Sequence, residues 1–146
     1  MRKLLLLIFT CSLVFSSSIY TLDNVKNLNI YFDNKSGFLD NKNKEDINKL
    51  ITKELTSAGF IFGKTDAIIF FVKVKAKELD ETYFINVELG LAEEVITKRE
   101  GSVETFAHTY IGSELIESEE PYTDTVELIE YLLHEFIESY KDDNEE

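Results

Sequence analysis

Two histidines and a surplus of carboxylates are the chemically active groups of this sequence. His108 lies in the alternating stretch Glu104-Thr105-Phe106-Ala107-His108-Thr109-Tyr110, and a strand there would put Glu104, Phe106, His108 and Tyr110 on one face. A His–carboxylate pair on such a face could act as acid and base near neutral pH. The second histidine belongs to Glu130, His134 and Glu138, spaced i, i+4 and i+8 on one side of a helix, a geometry able to chelate a divalent cation. Three ligands spread over two turns reach one ion poorly, and a charged stripe opposite an apolar one is the ordinary outer face of a surface helix. No metal is therefore expected. Glu117, Glu119 and Glu120 could bind calcium weakly, without the Asp/Asn/Gly order of a dedicated loop. The P-loop, the G-x-G-x-x-G turn, the G-x-S-x-G elbow and H-E-x-x-H are all missing, so no catalytic residue is assigned and no cofactor is expected.

The aromatic residues point to binding. If strand pairing leaves one sheet face without helices, Phe84, Phe106 and Tyr110, with His108 beside them, could form an exposed patch of the kind that marks contact sites. Core or cross-strand packing is the competing reading of the same residues, and a solvated or edge-packed side chain that of His108. The loops Asp33–Asn43 and Gly112–Thr123 are the other places where recognition could reside.

These side chains have to be carried by a small number of elements. Leu28, Ile30 and Phe32 alternate with polar neighbours, predicting a strand over Val25–Phe32. Ile47, Leu50, Ile51, Leu55 and Ala58 then mark one face of a helix, with Glu45 and Asp46 near its positive end and Gly59 as its stop. Strands follow over Ala67–Ala76, Tyr83–Ala92 and Val103–Ile111, separated by turns at Lys77–Thr82 and Thr97–Gly101. Gly90 is a candidate bulge or bend. Asp124 with Glu127 predicts a capping box for a last helix, whose stripe is Val126, Ile129, Leu132, Leu133, Phe136, Ile137 and Tyr140. The order β-α-β-β-β-α predicts an α+β two-layer sandwich, a four-stranded, mainly antiparallel sheet with both helices on one face. Its first and last strands are plausible edges, so the state expected is a monomer or an edge-paired homodimer.

The amino terminus reads as an address. Arg2 and Lys3 precede an apolar run from Leu4 to Phe15, and Ser16-Ser17-Ser18 supply the small side chains a signal peptidase accepts. Twelve helical residues span about 18 Å, too short for a hydrocarbon core of roughly 30 Å, so no stable membrane span is expected after cleavage. Residues 1–18 are thus a signal peptide, 19–140 a single α+β domain and 141–146 a disordered acidic tail, and the protein is exported, periplasmic or secreted. Cys11 follows Thr10 where lipoprotein processing wants Gly, Ala or Ser, which argues against a lipid anchor there. The mature chain then has no cysteine, which removes disulfides and thiolate chemistry. The 146 residues carry 28 acidic and 15 basic side chains, a net charge of −13. Residues 1–100 are balanced, and in 101–146 Lys141 is the sole basic residue. Such a surface repels phosphate backbones, so nucleic acid is not an expected partner.

One resemblance covers Ile47–Tyr140. The stretches Leu55-Thr56-Ser57-Ala58-Gly59-Phe60, Tyr83-Phe84-Ile85-Asn86-Val87-Glu88-Leu89, Thr105-Phe106 and Leu133-His134-Glu135-Phe136-Ile137-Glu138-Ser139-Tyr140 resemble the motifs of a family of small, exported, uncharacterised bacterial proteins. In that family a helix ending Leu-x-x-x-Gly-Ile leads into an apolar strand, a Tyr-led alternating strand, a strand with a Thr-Trp pair and a closing helix. Phe106 stands where that pattern has Trp. The resemblance implies a fold and no activity. The resulting expectation is a non-enzymatic binding or assembly module of the bacterial cell envelope, with another envelope protein as partner. The alternatives are a small-ligand carrier with a cavity between helices and sheet, or a small exported enzyme using His108 with Glu104.

Overall fold

The computed structural model describes residues 20–63 and 68–144. The expected leader, Cys11, Ala67 and the last two residues lie outside them. Alternation of Leu28, Ile30 and Phe32 with Asn29 and Tyr31 builds β1 (Asn27–Lys35). Asn34 then turns the chain, its Oδ1 accepting from the N–H and hydroxyl of Ser36 and its amide donating to the Leu39 carbonyl. Asp40 caps α1 (Asn41–Ser57), accepting from the Asn43 N–H at 2.7 Å while the Asn43 side chain accepts from the Asp40 N–H at 3.1 Å. Two otherwise orphaned donors are satisfied reciprocally. The helix starts far enough upstream that Glu45 and Asp46 fall beyond its first turn, where both pair with Lys49 instead of the helix dipole. Gly59, at φ 97°, ends the helical run in the left-handed region.

Among the described residues five strands form one mixed, open sheet in the order β2-β1-β3-β4-β5, where β2 is Ile61–Phe62, β3 Ile68–Leu79, β4 Thr82–Ile96 and β5 Glu104–Ser118. β1 is parallel to both β2 and β3, and β3, β4 and β5 are successively antiparallel. The α+β class is as the sequence predicts, while the sheet has one strand more than expected and is mixed. β2 is too short to show a period, and the parallel β1/β3 pair needs the long crossover that α1 supplies. β1 is therefore flanked on both sides, though β2 covers only Asn27 and Leu28. Asp80 and Glu81, at φ 50° and 67°, make the two-residue turn between β3 and β4, with both central residues left-handed as the strand twist prefers.

The carboxyl-terminal third departs most from expectation. Gly112–Ser118 is not a loop, because it continues β5 against Tyr83–Leu89 of β4. This removes Glu117 from a cluster with Glu119 and Glu120. Helix α2 (Pro121–Asn144) begins with proline at its first position, where the missing N–H costs nothing. Asp124 lies inside its first turn and accepts from the Ser118 hydroxyl, so it ties β5 to the helix rather than capping it. Lys141–Asn144 is the last turn of α2, not a disordered tail. The Asp143 carboxylate accepts from the Leu22 N–H at 2.6 Å, and Asn144 both accepts from the Asn24 N–H and donates to the Leu22 carbonyl.

Both helices pack on the sheet face formed by Phe70, Val72 and Val74 of β3 and Ile85, Val87, Leu89 and Leu91 of β4. Phe136 is the centre of this core, its ring 5.1 Å from those of Phe70 and Tyr110 and 5.7 Å from that of Phe60. Phe136→Ala should lower the unfolding free energy in a urea titration by about 3–5 kcal/mol. Deleting residues 141–146 should lower it by about 2 kcal/mol, the rough worth of three partly exposed hydrogen bonds; a frayed tail would be removed at no cost.

Candidate functional site

The face of the sheet away from the helices is built in rows by the strand register. From one end these are Asn29-Ile69-Ala92-His108, Tyr31-Phe71-Gly90-Ile111, Asp33-Lys73-Glu88-Ser113 and Lys35-Lys75-Asn86-Leu115, each read across β1, β3, β4 and β5. Lys77, Phe84 and Glu117 add a further row at one end, and Glu94 with Phe106, then Ile96 with Glu104, extend the β4–β5 ribbon at the other. Phe106 is 61% exposed, Leu115 65% and Tyr31 57%, with Phe84 also open to solvent.

Three of the four expected contact residues, Phe84, Phe106 and His108, share this face. Tyr110 does not. Leu91 pairs with Tyr110 while Ala92 pairs with His108, so one residue of β5, Thr109, is extra. A bulge of this kind breaks the two-residue period. Tyr110 consequently turns toward the helices, is only 8% exposed and packs on Phe136 and Tyr20. The Thr109 hydroxyl donates to Glu93 on the neighbouring strand. Gly90 faces the same region from β4: a Cβ there would collide with the Tyr110 carbonyl and lie 2.9 Å from the Phe71 ring.

Phe71 is buried although it belongs to the outer face. The His108 ring lies over it at 4.6 Å, and the Lys73 ammonium sits 4.3 Å from its centroid while pairing with Glu88 at 2.9 Å. His108 is therefore a packing residue over a small aromatic nucleus. Glu104 lies four residues along the same strand, about 13 Å away at strand rise, so the two do not form an acid–base pair. Beside them Ala92, Phe106, Ala107 and His108 line a shallow notch of about 320 Å³. Tyr31, Leu79, Ile96 and Leu115 complete the exposed apolar set. The alternation around Tyr31 held its signal; Ile96 and Leu115 fall outside the strand spans expected from the sequence.

Glu130, His134 and Glu138 line a different feature, a groove of about 420 Å³ between the end of α1 and the outer side of α2. The Lys141 ammonium, hydrogen-bonded to Glu138, holds that carboxyl below its usual range. Among the described residues no three His, Cys, Asp or Glu side chains are grouped to hold a metal ion, and no helix is long and apolar enough to cross a membrane. No family model matches the chain, and no curated protein matches it either.

Tyr110 gives the bulge a pH signature. Burial pushes its phenol above the ordinary value of 10.0, Ser139 opposes through a hydrogen bond, and the Glu135 charge adds to the rise. The fold favours the neutral phenol, so its contribution to stability is intact below the ordinary value and is lost as pH climbs through the raised one. Tyr110→Phe should make the alkaline fall in urea midpoint shallower than in wild type. A residual slope is expected from Tyr83, which a hydrogen bond with Glu78 also raises.

Proposed function

We propose that this protein is an exported, non-enzymatic binding or assembly module of the bacterial cell envelope, and that it docks another envelope protein through the helix-free face of its sheet. The observation that carries this reading is the set Tyr31, Phe84, Phe106 and Leu115, large apolar side chains left in solvent on one face. Exposed apolar side chains gathered on the one face that no helix covers favour a contact surface. The packing of His108 on Phe71 supports binding over acid–base chemistry. The helix–sheet layer is filled by Phe60, Phe70 and Phe136, which supports a docking surface over an interior ligand cavity. Export rests on the basic, apolar and small-residue order of residues 2–18.

The test is the double variant Phe106→Glu/Leu115→Glu, compared with wild type in cross-linked capture from native envelope. Both side chains are exposed, so circular dichroism and urea midpoint should stay within about 0.5 kcal/mol of wild type. Capture of the wild-type partner should fall at least about tenfold, since two carboxylates replace the apolar contacts. Equal capture by both proteins, or capture by wild type of neither a second copy nor any other envelope protein, would overturn the reading.

A further inference from the structure

The outer face is not uniformly acidic. All four of its lysines lie on β1 and β3, while Glu88, Glu94, Glu104 and Glu117 lie on β4 and β5. Lys35 and Lys73 are neutralised locally by Asp33 and Glu88. Lys75 and Lys77 at one end, and Glu94 and Glu104 at the other, are exposed and form no ion pair among the described residues. Ten residues of strand rise separate the two pairs, roughly 33 Å, and they are offset sideways by about 7 Å, one and a half strand spacings. The face thus carries opposite charges at its two ends.

We propose that the occupant of this face is a second copy of the chain, docked face to face about a two-fold axis near the Phe71–Gly90 row. The inference rests on the reading of this face as the docking surface, and it identifies the envelope protein that docks there as another molecule of the same chain. Strands of the two copies then run antiparallel. Bringing each lysine pair over the partner copy's carboxylate pair needs a strand crossing of about 25°, within the roughly 30° at which sheets pack face to face. With strands uncrossed the register places Leu115 above Phe106 of the other copy and Phe84 above Ile96, and the crossing slides these pairs sideways by roughly 5–8 Å, leaving them neighbours across the interface. Four strands about 30 Å long, with the ribbon extension, present roughly 700 Å² of projected face, close to the approximately 800 Å² per partner of a standard stable interface. Glu117 is the one mismatch, since this arrangement brings it near the other copy's Glu104.

The experiment is sedimentation velocity on the purified protein and on two charge-reversal variants, Lys75→Glu/Lys77→Glu and Glu94→Lys/Glu104→Lys. Wild type should sediment at twice the chain mass. Each variant alone should bind itself at least about tenfold more weakly, an equal mixture of the two should recover association, and Glu117→Lys should tighten it. Self-docking is overturned if wild type stays at single-chain mass up to about 1 mM, a limit set by the weakest affinity of interest. It is equally overturned if dimers persist unchanged through both reversals, as pairing along the β5 edge would predict. A monomeric wild type whose capture of an envelope protein still depends on Phe106 and Leu115 would leave the docking face in place and reject only its identification with a second copy.

Discussion

Phe136 holds the layers of this protein together. Its ring meets Phe60 at the exit of α1, Phe70 in the central strand and Tyr110 in the edge strand, so a single buried side chain on α2 joins four separate parts of the chain. The demand it makes on β5 has consequences on the opposite side of the sheet. Tyr110 must turn inward to complete the aromatic cluster. With unbroken alternation Phe106 and His108 would follow it to the helix side. The extra residue at Thr109 lets Tyr110 serve the core while His108 and Phe106 face outward. The outer surface is in this sense set by a packing requirement of the inner one.

The same bulge explains why a buried phenylalanine occurs on an uncovered face. Phe71 is too large to sit beside an ordinary β-carbon at position 90, and Gly90 gives it room. His108, displaced by the bulge, closes over it, and the stem and ammonium of Lys73 close the other side. A half-buried ion pair with Glu88 then fixes Lys73. The result is a second, minor nucleus around which the exposed aromatic and aliphatic groups are held in fixed positions. Side chains held on so firm a base have little conformational entropy left to lose.

The parts of the fold backed by helices were legible in the sequence, and those without backing were not. Leu28 to Phe32, Phe70 to Val74 and Ile85 to Leu91 alternate or run apolar because one side of each strand meets the core. Beyond Leu91 the β4–β5 ribbon is wet on both faces, so Ala92–Ile96 carries no period to read. Gly112–Ser118 is similar: its inward positions are Gly112, Glu114, Ile116 and Ser118, a polar set that resembles a loop. The candidate site suffered from one further cause. A period-two argument places Tyr110 with His108, and a single unpaired residue, invisible in composition, reverses that placement for every position before it. Phe106 and His108 lie on the same side of the bulge and so stay together, and Phe84 belongs to another strand. The start of α1 was missed because Asp40 and Asn43 act through a reciprocal cap rather than through the spacing of apolar residues.

The clasp between the two ends of the described chain bears on the order in which the molecule can be completed. Leu22 and Asn24 find their hydrogen-bond partners in Asp143 and Asn144, about 120 positions downstream. Chains are synthesised from the amino end, and their early segments fold as their partners emerge. The segment around Leu22 therefore precedes nearly all of the described domain in synthesis, while its clasp forms late. Until residues 143 and 144 are made, the Leu22 and Asn24 backbone groups lack their partners in the clasp. The clasp can therefore close only after nearly the whole described domain has been made, and its closure reports completion of that domain.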